Sequence, residues 1–238
     1  MILKVFSLLL IVPSTCFALV RNFANNVHVF EPNGETLYPT MFLLGGMAQT
    51  VSSWEHHLPA LSKNRKVVVY ECIGQGKSWE EEEEETLEPS LFQNVSLPFQ
   101  AETLLELIQE VEPNSKSVDL VGFSFGARVS MASACIKPEL IRKLHLTGVA
   151  TDRSDYGHLA VEAWKESLKN DKSLRSFAWS ILMATYSPTF LRSQPVEKYI
   201  EHISRTNSRL GLMALLEQAE VTDKDDPWHV INLSLIHI

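Results

Sequence analysis

The stretch VDLVGFSFGARVS, Val118 to Ser130, constrains the chain more than any other. Its first residues are apolar and strand-like, and those after Gly126 are small and suited to a helix, so it reads as strand, sharp bend, helix. Gly122-Phe123-Ser124-Phe125-Gly126 places Ser124 at the bend, with a glycine two residues to either side. A serine on such an elbow has a strained backbone, and the glycines are needed where side chains would strike the neighbouring strand and helix. The hydroxyl then opens into the crevice at the strand ends, facing a helix N-terminus that favours developing negative charge.

The surrounding sequence alternates in the way such a bend requires. VHVF and TLYPTMFLL read as strands separated by the turn-former EPNG, and SSWEHHLPALSKN carries Trp54, Leu58 and Leu61 at helical spacing with Ser52 or Ser53 as cap. RKVVVYE is a short apolar strand of the kind buried in a parallel sheet. SLPFQAETLLELIQEVEPN gives a helix with Leu104, Leu107, Ile108 and Val111 on one face, and LIRKLHLTGVA returns as a strand. Strands alternating with helices predict an α/β fold with a doubly wound, mostly parallel sheet. From Thr151 to Thr222 the pattern is helical, with apolar faces built on Trp164, Leu168, Phe177, Trp179, Ile181 and Leu182, and Pro188 and Pro195 divide it. This predicts an inserted α-helical cap. The expected division is a presequence at 1–18, a core at 19–150, the cap at 151–222, and a return to the core at 223–238.

A second glycine motif, FLLGGMAQT, follows an early strand. Acyl transfer needs hydrogen-bond donors for an oxyanion, one of them from such a loop, and Gly45 and Gly46 let the backbone approach. The backbone N–H groups of Met47 and Phe125 are the expected donors. A plain turn is the competing reading of Gly45 and Gly46, and two glycine motifs in the right order weigh against it.

FLLGGMAQTVSSWEHHLPALSKNRKVVVYECIGQGKS followed by VDLVGFSFGARVSMASA resembles the α/β-hydrolase superfamily over about residues 27 to 150. There an H-G-x loop, a tryptophan, a D-x-x-G-x-G-x-S segment and the elbow recur in that order. The chain departs from the pattern at Gly45, where the family has His, at Glu71 in place of Asp, and at Gln75 in place of His. Serine at the elbow, and not aspartate, implies ester, thioester or carbon-carbon bond chemistry through an acyl-enzyme. Arg128 after the elbow resembles the menaquinone-pathway synthase branch.

The resemblance implies an acid after the strand that follows the cap and a histidine after the last strand. Asp152 fits a position that some branches use for the acid, and fits the N-cap or hinge of the first cap helix better. His56, His57, His145 and His229 stand at positions unsuited to the base, and His237 lies in the closing LSLIHI. Those six residues match a frame translation of a sequencing-library adapter, so the expectation is a protein that continues beyond about Asn232. As given, the chain is expected to be inactive and to expose a sheet edge. A noncatalytic receptor or carrier on the same fold is the alternative, because fold alone does not imply activity.

Composition closes off other classes. The chain has 238 residues and is 45% hydrophobic, enough for one substantial domain with an insertion. Six of the acids behind its formal charge of −8 stand together at Glu80–Glu85, a run expected to be a solvated surface insertion. The 21 Lys and Arg are scattered, which predicts no nucleic-acid partner. Cys16, Cys72 and Cys135 form no metal or disulfide pattern, and neither a metal nor another cofactor is expected. The expected partner is a small-molecule substrate, and the sequence leaves oligomeric state open.

The N-terminus, with Lys4, an apolar run from Val5 to Val12 and small residues near 17–19, reads as a signal peptide too short to span a membrane. STCFALVRN also resembles the start of bipartite plastid presequences, with Phe17 opening a transit segment. A secreted or a plastid destination follows.

Overall fold

A computed structural model describes residues 26–76, 78, 95–149 and 154–222, with side chains to 219. The presequence, the glutamate run, Asp152, His229 and the closing residues lie outside this set.

Five strands form one sheet: β1 (Val27–Phe30), β2 (Met41–Leu44), β3 (Val67–Tyr70), β4 (Val118–Phe123) and β5 (Ile141–Thr147), in the spatial order β1-β3-β2-β4-β5. Neighbours pair in parallel except β1, which runs antiparallel to β3. The sheet is therefore mostly parallel, as the alternation of elements requires.

Side-chain alternation divides the sheet's apolar residues between its two faces. Phe42, Leu44, Val68, Tyr70 and Leu120 face the helices α2 (Leu97–Val111) and α3 (Phe125–Ile136), meeting Leu104, Leu107, Ile108, Val129 and Met131. Leu43, Val67 and Val69 face the other way, onto Trp54, Leu58 and Leu61. With partners on both sides, β3 is buried at every position. Helix α2 starts where Ser96 accepts a hydrogen bond from Phe99 N–H and Pro98 occupies the first turn, where a missing donor does no harm.

Two expected elements are cut short at prolines. The strand foreseen over TLYPTMFLL begins only at Met41, because Pro39 has no N–H for the ladder, and Leu37 and Tyr38 stay exposed. The helix foreseen over SSWEHHLPALSKN is broken into a 3₁₀ turn, Val51–Trp54, and a single α turn, α1 (Leu58–Leu61), which Pro59 can begin but not continue. Neither Ser52 nor Ser53 caps it; the residues preceding the two segments are Thr50 and His57, without side-chain capping bonds.

Beyond β5 come helices α4 (Asp155–Asn170), α5 (Arg175–Thr185), α6 (Pro188–Ser193), α7 (Val196–Thr206) and α8 (Arg209–Thr222). Val161, Leu168, Phe177, Leu182, Ile200, Leu212 and Leu216 form their apolar centre. Trp179 departs from expectation: it is 39% exposed and turns away from that centre. Met47 and Ala48, from the glycine loop after β2, pack into the same cluster, so this loop belongs to both layers. No described helix is long and apolar enough to cross a membrane.

Candidate active site

Ser124 lies between β4 and α3 with φ +52° and ψ −113°, a left-handed backbone that a side-chain-bearing residue holds only under strain. Three backbone bonds fix it. Its N–H donates to the Thr147 carbonyl at 2.8 Å, and its own carbonyl accepts from the N–H groups of Ala127 and Arg128 at 3.0 and 3.2 Å. The side chain makes no capping bond to its helix and is half-buried, so the hydroxyl is not spent on local structure.

The glycines of the elbow are required by contact distance. A Cβ at Gly122 would lie 2.4 Å from Ala127 Cα, and one at Gly126 would lie 2.5 Å from the carbonyl oxygens of Leu44 and Gly45. Helix α3 thus sits directly on the strand ends. Its Gly126 N–H donates to the Gly45 carbonyl at 3.0 Å, tying elbow to glycine loop.

A peptide unit is planar and trans, so its N–H points opposite its C=O. The Ser124 carbonyl is turned into α3, which sends the Phe125 N–H away from the helix. In the glycine loop the Gly46 carbonyl accepts from Gln49 N–H at 3.1 Å, which turns the Met47 N–H to the opposite side. A Cβ built on Gly46 would lie 3.2 Å from Ser124 Cβ, so the loop runs against the elbow. The side chains of Met47 and Phe125 share an apolar cluster with Ile73, Val95, Ala214 and Leu215.

The departures from the family pattern have local explanations. Gly45 leaves room for Gln49, whose Cβ would lie 2.9 Å from a Cβ at 45 and whose Oε1 accepts from Gly46 N–H at 2.6 Å. Glu71, 5% exposed, accepts from Val51 N–H at 2.8 Å and occupies the space that a side chain at Gly76 would need. Gln75 is fully buried, and its Oε1 accepts from Ala48 N–H at 3.0 Å. Gln49 carried no signal in the sequence; its part in the loop depends on a turn whose shape local composition does not specify.

The titratable groups nearby divide simply. Cys72 is buried at the exit of β3, and desolvation, with Glu71 adding to it, pushes its thiol up to about 12, so it stays neutral and unreactive. Burial also raises Cys135. His56 and His57 are exposed, His145 meets Thr147 Oγ1 at 3.2 Å, and His202 Nε2 lies 3.1 Å from Thr50 Oγ1 and 2.8 Å from Ser52 Oγ. Among the described residues none of these histidines hydrogen-bonds to Ser124, and no group of three His, Cys, Asp or Glu gathers to hold a metal.

Pyrrolizixenacetamide deacetylase of Xenorhabdus hominickii is 28% identical to the chain over 178 residues, a match covering 74% of this chain and 61% of that protein. The chain therefore spans about three fifths of the length of this relative. Among solved structures, a hydrolase from Pseudomonas aeruginosa PA01 superposes with a TM-score of 0.63 at 21% identity, covering 81% of this chain and 66% of that one. The enol-lactonase of Burkholderia xenovorans LB400 does so with a TM-score of 0.65 at 15% identity, covering 83% and 70%. At these identities the structures establish likeness of fold. Residues 39–177 match the family described as the alpha/beta hydrolase fold, more than half of the chain, and the chain belongs to that family.

Proposed function

We propose that the chain carries the nucleophile and oxyanion donors of a serine hydrolase acting on an ester, thioester or carbon-carbon bond of a small apolar substrate. The observation that carries this reading is the strained Ser124 beside two peptide N–H groups, Met47 and Phe125, each turned outward because its peptide carbonyl is engaged behind it. The Ser124 oxygen attacks the substrate carbonyl carbon while its proton passes to a histidine supplied from outside the described residues. The carbonyl π pair moves onto oxygen, facing the two N–H donors and the N-terminus of α3. Collapse of the tetrahedral species expels the leaving group, which takes the proton from the histidine and leaves an acyl-Ser124 ester. Water, deprotonated by the same histidine, then releases the acid and restores the hydroxyl.

The apolar cluster around Met47 and Phe125 favours a hydrophobic acyl or carbonyl portion. The naming of one relative as a deacetylase agrees with acyl transfer. Asp152 keeps its two readings, acid or cap hinge.

The test is covalent labelling of the full-length protein with a fluorophosphonate. The wild type is expected to be modified at Ser124 and the Ser124→Ala variant to stay unlabelled. A folded wild type that resists the probe, or a variant that still reacts, would instead support a ligand-binding protein on this fold.

A further inference from the structure

The glycine loop is held at a second point, outside the elbow. Ala48 has φ +60°, a left-handed conformation that alanine does not adopt unaided. Both of its peptide groups are taken by side-chain amides from elsewhere in the chain. Its N–H donates to Gln75 Oε1 at 3.0 Å, and its carbonyl accepts from Asn207 Nδ2 at 3.2 Å, across 159 residues of sequence. Asn207 closes helix α7, and its Oδ1 also accepts from Gly76 N–H at 3.0 Å, so one side chain bridges the loops after β2 and β3. These partners fix both amide orientations: Oε1 of Gln75 and Oδ1 of Asn207 must be the acceptors. The Ala48 methyl is buried among the cap residues, which leaves the loop no room to turn alone.

We propose that Gln75 and Asn207 are positioning residues that hold Ala48 left-handed and thereby keep the preceding Met47 N–H aimed at Ser124. Because Asn207 belongs to the cap, the oxyanion donor is set only when α7 is seated on the core. This rests on the reading of Ser124 as nucleophile. The Met47–Ala48 peptide follows directly from the Gly46–Met47 peptide that carries the donor, and the two share the Met47 Cα. If Ala48 relaxes to a right-handed conformation, either the Met47–Ala48 peptide turns over or the bond from Gln49 N–H to the Gly46 carbonyl opens, and in both cases Met47 is released from the torsions that aim its N–H. Gln75 stands where the family pattern has a histidine, and its amide oxygen accepts at every ordinary pH, whereas an imidazole accepts only when neutral.

A purely structural role for these amides would lower stability and leave the reaction of the folded molecules unchanged, so two readouts are needed. The variants Asn207→Ala, Asn207→Asp and Gln75→Met are made in the full-length protein. Asn207→Asp keeps the acceptor for Gly76 N–H and loses the donor to the Ala48 carbonyl, along with the donations to the Ile203 carbonyl at 3.1 Å and Thr206 Oγ1 at 3.2 Å within its own helix; Gln75→Met keeps bulk and loses the acceptor. Each folded variant is expected to react with the fluorophosphonate about tenfold or more slowly, with kcat for p-nitrophenyl butyrate falling in step and KM within about twofold. Hydrogen exchange of the segment spanning residues 45–50 is expected to quicken at least tenfold while that of 118–123 holds.

Folded Asn207→Asp and Gln75→Met variants with wild-type labelling rates, or with unchanged exchange at 45–50, would overturn the proposal. If Asn207→Ala fails to fold, the other two variants decide. If the wild type is never labelled at Ser124, the nucleophile reading falls and takes the catalytic part with it, while the exchange measurement still decides whether the two amides hold the loop.

Discussion

A methyl group added at Gly126 would come within 2.5 Å of the Leu44 and Gly45 carbonyl oxygens, and the Gly45 oxygen already receives the Gly126 N–H. Gly126→Ala is expected to lower stability by about 3 kcal/mol, the upper range for an overpacked core, and to reduce labelling of the remaining folded protein by moving α3 off the strand ends. Urea unfolding together with probe labelling checks both parts. Cys72 offers a quieter test. With its thiol raised by burial from 9.0 to about 12, it is expected to resist iodoacetamide at pH 8 in the native protein and react after unfolding. An unfolded thiol ionises above about 9 while the native one stays protonated, so stability falls as pH rises from about 9 toward 12. At this scale the sequence disclosed Gly122, Ser124 and Gly126 through a spaced motif, since a steric demand between adjacent elements is written locally. It identified Gln75 as a departure without disclosing its use. Asn207 stayed hidden, because a bond spanning 159 residues leaves no local pattern.

Strands β3 and β4 and helix α2 were legible because each has one demand: apolar residues on every position for a buried strand, or on one stripe for a helix. The failures lie at Pro39 and Pro59, where hydrophobic spacing ran on through a residue that cannot donate to strand or helix, and at Trp179, whose apolar character suggested a buried face. Strand β4 also carries a charge that periodicity does not explain. Asp119, 3% exposed, accepts from Arg65 at 2.7 Å and from Arg142 Nε at 2.9 Å, joining the start of β4 to the residues before β3 and to β5. Asp119→Ala would leave two guanidinium groups facing each other without their carboxylate. The expected loss is about 3 kcal/mol, seen as a lower urea midpoint, with probe labelling of the folded fraction unchanged.

At the scale of the whole fold, the described residues form two main apolar centres, one between the sheet and its helices and one inside the helical layer, and the glycine loop is built into the second. The alternation of strands and helices foretold the mostly parallel sheet with its helices, and the apolar spacing of residues 151–222 foretold helices beyond it. It said nothing of their joint, because docking depends on side-chain amides and on His202 reaching Thr50 and Ser52. One feature of the elbow acts at this scale as well. The contorted main chain at residue 124 suits glycine better than serine, so Ser124→Gly is expected to yield an inert protein that melts about 2 °C higher. A calorimetric scan would register that gain. If Ser124 is the proposed nucleophile, thermal hardiness and chemical competence pull one codon in opposite directions, and a lineage relieved of the need to react would drift toward the sturdier, silent form.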